Sequence, residues 1–141
     1  MKETMIRVFI YGSLLPGEHN DHVVKDEIRH SRPGRVAGRL VDVGSYPALV
    51  RDSIASQNAM ATWGLWITIP LNALASLDML EDFYGWEEAN DYDRIWVQDL
   101  DNREDEGWVY VWDTDRGCPP VDTSYWPDYY SSKQRRSRPQ P

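Results

Sequence analysis

A single α+β domain is the fold class that the sequence predicts, and three observations lead to it. The chain has 141 residues, a length typical of one compact domain, and 41% of them are hydrophobic, enough for a core. Several short runs are rich in β-branched and aromatic residues, as strands are. One longer segment repeats leucine at helical spacing. Strands and a helix in a short chain without internal repeats indicate a mixed α+β domain.

The predicted strands follow one another with turn signals between them. RVFIY at 7–11 reads as a buried first strand, and residues 18–30 as a short helix or irregular crossover. RVAGRLVDVG at 35–44 is a second strand, and Pro47 after it marks a turn or a sheet edge. The remaining predicted strands are ATWGLWITI at 61–69 and the pair YDRIWVQDL at 92–100 and EGWVYVWD at 106–113, joined by the polar turn DNRED.

The clearest helix is PLNALASLDMLEDFYGW at 70–86, where Pro70 suits the first turn and Gly85 the end. At about 100° per residue from Leu77, Glu81 lies at about +40°, whereas Asp78 lies at about 100°, on the flank. The apolar stripe that Glu81 joins consists of Leu71, Leu74, Leu77, Leu80 and Tyr84. The periodicity therefore predicts one carboxyl on the apolar side of the helix.

A carboxyl in that position has two interpretations. Desolvation disfavours its charged form and raises its pKa, which suits a group that transfers protons near neutral pH. Alternatively, Glu81 pairs with an arginine such as Arg94 for structural reasons. The periodicity alone leaves both open.

Composition and charge restrict the classes of function. The last eleven residues, 131–141, hold four of the 15 basic residues and no acid, which leaves 11 basic and 23 acidic residues, a net charge of −12, in residues 1–130. Such an acidic body argues against nucleic acid as a partner. The basic segment 131–141 lacks apolar residues, so we expect a disordered tail after a domain at 1–130. The sequence does not indicate the oligomeric state.

The location follows from the N-terminus and from cysteine usage. Neither a signal peptide nor a membrane span is expected, because no apolar stretch is long enough for either. Cys118 is the single cysteine, so no disulfide forms within the chain. We therefore expect a cytoplasmic protein without a membrane partner.

A glycine loop follows the first strand in VFIYGSLLPGEHN at 8–20. The residues of interest are Tyr11, Gly12, Ser13 and Leu14. One interpretation is an ordinary loop, as at most junctions of a strand and a glycine. The other is that the chain leaves the sheet so that its backbone amides can hold an acyl or carboxylate oxygen, with Gly12 allowing close approach and an unusual φ.

Several separate pieces together resemble the γ-glutamylcyclotransferase-like superfamily, the AIG2-like and BtrG-like group. The resemblance spans roughly residues 7–113 and lies in VFIYGSL, GEHNDHVV, GRLVDVGSYPALV, TWGLWIT, LDMLEDFYGW and YDRIWVQDL. It implies a compact mixed sheet of barrel-like form with flanking helices. It also implies a cofactor-independent enzyme that converts a small γ-glutamyl amide into 5-oxoproline and a free amine. The segment VDTSYWPDYYSS departs from the family pattern, and its role is left open.

The resemblance also assigns roles to residues. Glu81 in LD-x-x-E corresponds to the family's general acid/base, and Tyr11–Leu14 to its substrate-binding loop. The hydroxyl of Tyr11 and the guanidinium of Arg94 are further candidates, the latter for balancing the charge of Glu81 or of the substrate. The sequence does not identify the γ-glutamyl donor or the leaving amine. It also leaves open a binding module of the same fold that holds a small molecule without turnover.

Other chemistries fit the residues less well. Ser13 lacks the G-x-S-x-G context of a hydrolase nucleophile, and Cys118 lacks a histidine context. His19 and His22 have no third ligand at a convincing spacing, and DLDNREDEG lacks the glycine and oxygen ligands of a calcium loop. No metal is expected.

Overall fold

The computed structural model describes residues 4–80 and 92–137. Its strands are β1 (Met5–Ile10), β2 (His30–Ala37), β3 (Arg39–Asp42), β4 (Pro47–Val50), β5 (Ala61–Pro70), β6 (Asp93–Gln98) and β7 (Glu106–Val111). The helices are α1 (Ser53–Gln57), α2 (Leu71–Leu80) and α3 (Trp126–Ser137), and two short 3₁₀ turns occupy Asp21–Val23 and Lys25–Glu27. Five strands form one sheet in the order β2-β5-β1-β7-β6, and β3 pairs with β4 in a second.

Strand β1 lies at the centre of the larger sheet, antiparallel to β5 and parallel to β7. Its side chains alternate between two core clusters: Val8 and Ile10 join one, and Phe9 and Tyr11 join the other. All four are buried. A strand with core on both faces needs a continuous apolar run, which is why VFIY lacks the polar alternation of a half-exposed strand.

The two edges of the large sheet are connected through the chain just after β6, although within the described residues β2 and β6 do not pair and the sheet is not a closed barrel. The amide of Leu100, just after β6, donates to the carbonyl oxygen of Arg35 in β2 at 2.9 Å. The amide of Arg35 donates to the carboxylate of Asp99 at 2.8 Å. The sheet is therefore curved, and the predicted α+β class with a barrel-like mixed sheet and flanking helices is confirmed.

The hairpin of β3 and β4 is joined to the large sheet by backbone hydrogen bonds. The amide of Trp112, just after β7, donates to the carbonyl oxygen of Leu49 at 2.9 Å. The amide of Val121 donates to that of Leu40 at 3.0 Å. This arrangement brings the turn before Pro47 against the end of β1, where the glycine loop begins.

The predicted second strand at 35–44 is two strands in the structure, and Gly38 separates them. Gly38 has φ +143°, a conformation that favours glycine, and a Cβ there would lie 2.7 Å from Cδ1 of Leu49. The chain turns at this residue from the large sheet into the small one. The other predicted strands are confirmed, including the β6–β7 hairpin with its polar turn.

Helix α2 begins at Leu71, directly after Pro70, as predicted. Leu74 and Leu77 are buried, as the periodicity requires, whereas Leu71 is 47% exposed. The predicted continuation to residue 86 lies outside the described residues. Within residues 4–80 and 92–137, no helix has the length and apolar character of a membrane span.

Helix α3 corrects the expectation of a disordered tail from residue 131, because the helix continues to Ser137. It begins at Trp126, which is fully buried, and it is held by Asp42 of β3. The hydroxyl of Tyr129 donates to Asp42 at 2.6 Å, and the ammonium of Lys133 at 2.9 Å. Burial alone would raise the pKa of Asp42, but these bonds and one from the Gly44 amide lower it. The basic residue Lys133 is thus a structural anchor.

Asp52 connects the start of α1 to a buried arginine. Its carboxylate accepts the amide of Ala55 at 3.0 Å, which caps the helix, and Nη2 of Arg39 at 2.7 Å. The Arg39 side chain is only 6% exposed. The hydrogen bonds from Arg39 lower the pKa of Asp52 from 3.8 to about 2.

We expect this ion pair to make the free energy of unfolding fall in acid. A carboxyl whose pKa is lower in the folded state contributes fully above its unfolded pKa and loses the contribution as pH falls through the folded value. The shift of Asp52 corresponds to about 2 kcal/mol at neutral pH. In urea titrations, the stability difference between the wild type and Asp52→Asn should shrink as pH falls from about 5 to about 2. A difference that is constant with pH would contradict this assignment.

Candidate active site

A small cavity opens where the chain leaves β1, and all four predicted loop residues line it. Its walls are Phe9, Ile10, Tyr11, Gly12, Ser13, Leu14, Tyr46, Pro47, Tyr92 and Tyr110. These residues come from the end of β1 and the loop after it, the start of β4 and the residue before it, the residue before β6, and β7. The cavity volume is about 30 Å³. That is room for one or two water molecules or for a single carboxylate group.

The glycine loop is held in place through its carbonyl groups and one side chain. The amide of Leu15 donates to the carbonyl oxygen of Gly12 at 3.0 Å, and that of Asn20 to the carbonyl oxygen of Ser13 at 2.9 Å. The side-chain amide of Asn20 also donates to Oγ of Ser13 at 2.9 Å. The loop is therefore a fixed turn, and the hydroxyl oxygen of Ser13 is engaged by Asn20.

Three backbone amides of this loop, unlike its carbonyl groups, have no hydrogen-bond partner among the described residues. Those of Gly12, Ser13 and Leu14 donate no hydrogen bond to any residue that the structure describes. All three residues are buried. Because amides of buried residues are almost always paired in proteins, three successive amides without an acceptor among the described residues suit an oxygen-bearing group.

Gly12 is required by a close approach of Pro47. A Cβ on Gly12 would lie 2.6 Å from both Cγ and Cδ of the Pro47 ring. Gly12 is not among the glycines with positive φ in the described chain, so the expected unusual φ is wrong. Its small size lets the turn before β4 pack directly onto the loop.

The hydroxyl of Tyr11 supports the loop and is committed to the backbone. It donates to the carbonyl oxygen of Tyr110 at 2.7 Å and accepts the amide of Leu49 at 3.1 Å. The ring of Tyr11 lines the cavity, but its hydroxyl proton is used within the protein. These two bonds give the buried amide of Leu49 and the carbonyl of Tyr110 a partner, and a contact of the hydroxyl with the substrate stays a prediction.

Two further tyrosines of the cavity wall were not singled out from the sequence. Tyr92 donates its hydroxyl to the carbonyl oxygen of Pro47 at 2.7 Å. Tyr110 donates its hydroxyl to Oδ1 of Asp78 at 2.6 Å. Tyr92 is the tyrosine of the Y-x-R motif, and this motif could have identified it as a candidate site residue. Tyr110 is one alternating residue of a strand, and nothing in its spacing distinguishes it.

Arg94 forms an ion pair with Asp78 of α2. Its Nε lies 3.0 Å from Oδ1 of Asp78, and its guanidinium lies over the ring of Trp108 at 4.5 Å. Asp78 was assigned to the flank of the helix, yet it contacts both Arg94 and a residue of the cavity wall. Glu81 lies outside the described residues, so its relation to Arg94 stays a prediction.

The far end of the loop is acidic and partly buried. Burial raises the pKa of Glu18, Asp21 raises it further, and His19 opposes the change. Burial likewise raises the pKa of Tyr125, with Asp128 and Glu18 adding to it. The chain after the cavity therefore packs toward the start of α3.

Solved structures with the same fold define the class of this domain. YkqA from Bacillus subtilis matches over 95% of the chain with a TM-score of 0.70 and 15% identity, and the chain spans 44% of that protein. An AIG2-like protein from Mus musculus matches over 89% of the chain and 82% of its own length, with a TM-score of 0.55 and 21% identity. The domain therefore has the AIG2-like fold.

The sequence comparisons give the family. The family model described as gamma-glutamyl cyclotransferase, AIG2-like, matches residues 8–128. A relative from Niallia circulans, named gamma-L-glutamyl-butirosin B gamma-glutamyl cyclotransferase, is 32% identical over 114 residues, which are 79% of this chain and 69% of the relative. The chain belongs to the AIG2-like gamma-glutamyl cyclotransferase family of enzymes.

Proposed function

We propose that this protein converts a small γ-glutamyl amide into 5-oxoproline and a free amine. The substrate's own α-amine attacks its γ-carbonyl carbon, so one C–N bond forms within the glutamyl group and the C–N bond to the leaving amine breaks. One proton leaves the attacking nitrogen and one reaches the departing nitrogen, so no water or cofactor is consumed. The protein must fold the substrate, stabilise the oxyanion and move the proton.

The observation that carries the proposal is the row of amides at the buried residues Gly12, Ser13 and Leu14, which donate to none of the described residues. They suit a carboxylate of the substrate or the oxyanion that develops at the γ-carbonyl. Such fixed donors stabilise a developing charge effectively because they need no rearrangement during the reaction. The small cavity beside them accepts an oxygen-bearing group, which leaves the departing amine outside it.

The proton-transfer role is assigned to Glu81. Leu74 and Leu77 define the buried side of α2, and the helical period of the sequence predicts Glu81 on that side. A carboxyl there takes the proton from the attacking amine and delivers it to the departing nitrogen. Arg94 supports the site through its ion pair with Asp78.

Release of 5-oxoproline from a panel of substrates tests this function. The panel contains γ-glutamyl amines, γ-glutamyl dipeptides and γ-L-glutamyl-butirosin B. The matched control is each compound with its α-amine acetylated, which blocks the internal attack and leaves the γ-amide intact. We expect 5-oxoproline from at least one free compound and no turnover of its acetylated form.

Two outcomes would contradict the proposal. Glutamate from the free compounds, together with N-acetylglutamate from the acetylated ones, would indicate a hydrolase. Binding of a panel member without turnover, measured by calorimetry, would indicate a binding module. The cytoplasmic location and the lack of a nucleic-acid partner remain predictions from composition.

A further inference from the structure

A continuous chain of polar contacts runs beneath the cavity and joins the elements that surround it. Arg94 of β6 pairs with Asp78 of α2 at 3.0 Å. Asp78 accepts the hydroxyl of Tyr110 of β7 at 2.6 Å. The carbonyl oxygen of Tyr110 accepts the hydroxyl of Tyr11 at 2.7 Å, and that hydroxyl accepts the amide of Leu49 of β4 at 3.1 Å. Among the described residues of α2, Asp78 makes the contacts with this network.

We propose that Asp78 is a positioning residue for the cyclisation, acting through Tyr110 on the glycine loop. This inference rests on the proposed function. Tyr110 is fixed at both ends, its hydroxyl by Asp78 and its backbone by Tyr11, the first residue of the loop. Its ring forms part of the cavity wall. Asp78 therefore sets the position of the wall relative to the amides of the loop.

The chemistry of the carboxylate explains why an aspartate is required here. Oδ1 of Asp78 accepts Tyr110, and Oδ2 lies 3.4 Å from Nη2 of Arg94. An asparagine has one accepting oxygen, so its amide nitrogen would face one of these donors. The Arg94 side chain is only 12% exposed, and it would lose its ionic partner at this position.

The expected effect is on turnover more than on substrate affinity. The amides of the loop and the cavity wall remain in Asp78→Asn, so the substrate still binds. A displacement of about 1 Å between reacting groups lowers rates by about 100-fold. We expect kcat to fall about 10- to 100-fold in Asp78→Asn and about 10-fold in Tyr110→Phe, with KM within about threefold of the wild type.

Tyr129→Phe is the matched control for Tyr110→Phe. Tyr129 also donates its hydroxyl to an aspartate, Asp42, at 2.6 Å, but it belongs to α3 and does not line the cavity. Both variants lose one hydroxyl and one charge-assisted hydrogen bond. If the role of Asp78 is purely structural, Tyr110→Phe and Tyr129→Phe should change the melting temperature similarly, and Tyr110→Phe should show no selective loss of kcat.

The experiment measures kcat, KM and melting temperature for four variants. These are Asp78→Asn, Tyr110→Phe, the double variant that combines both, and the control Tyr129→Phe. We expect the double variant to lose no more in kcat than the worse single variant, since both break the same contact. Additive losses, or an unchanged kcat in folded Asp78→Asn, would overturn the proposal. A wild type without turnover would instead refute the proposed function, so the two failures are distinguishable.

Discussion

Replacing Glu81 with glutamine is expected to lower 5-oxoproline formation by about 1,000-fold or more while the protein stays folded. General acid/base groups contribute about 100- to 10,000-fold, and this reaction needs one proton moved between two nitrogens of the same substrate. Glutamine has nearly the same shape as glutamate but cannot take up the proton. Because it removes a carboxyl predicted to face the apolar side of α2, the melting temperature should be unchanged or higher. Kinetics with the best panel substrate, together with thermal unfolding, measure both effects.

Glu104→Gln is the control for this change. Glu104 is exposed in the turn between β6 and β7, and its side chain does not line the cavity. The control should match the wild type in rate and in melting temperature. If Glu81→Gln unfolds the protein, the structural ion pair is the better explanation of this residue. If folded Glu81→Gln retains its rate, another group moves the proton.

The fold could be predicted wherever the sequence pattern is local. Strands β1 and β5, the β6–β7 hairpin and the start of α2 follow from runs, turns and helical spacing, whereas only the last three residues of β2 fall in a predicted strand. The split at Gly38 was missed because its cause is a contact with Leu49, eleven residues further on. Helix α3 was missed for the same kind of reason: Lys133 reads as a solvated charge until Asp42 is placed beside it.

The candidate site shows the same division between local and distant signals. The glycine loop was predicted, because a strand that breaks into glycine is visible in the sequence, and the structure gives it a cavity. The engaged hydroxyl of Tyr11 and the role of Asp78 were not, since their partners are 99 and 32 residues away. A helical wheel gives the angle of Asp78 around the helix, but it does not show that β7 packs against that side of the helix.

Replacing Gly64 with alanine is expected to destabilise the protein by about 3 kcal/mol. Gly64 lies in β5 between β2 and β1, and a Cβ there would collide with the backbone carbonyl oxygen of Ile10. The neighbour is backbone in a paired central strand, so no side-chain rotation relieves the collision. Ile10 directly precedes Tyr11, so a shift of β1 also displaces the glycine loop. Urea unfolding measures the loss of stability, and turnover below the melting temperature should fall with it.

Gly17→Ala separates the collision from the general cost of replacing glycine. Gly17 follows the cavity loop with φ +88°, and a Cβ there meets nothing within 4 Å. Its substitution costs backbone strain alone, about 1 kcal/mol. Gly64 is in extended backbone that alanine adopts readily, so its expected larger loss is due to lack of space. Equal losses in the two variants would mean that β1 and β5 separate easily, and the end of β1 would then be a poor support for amides that must stay fixed during the reaction.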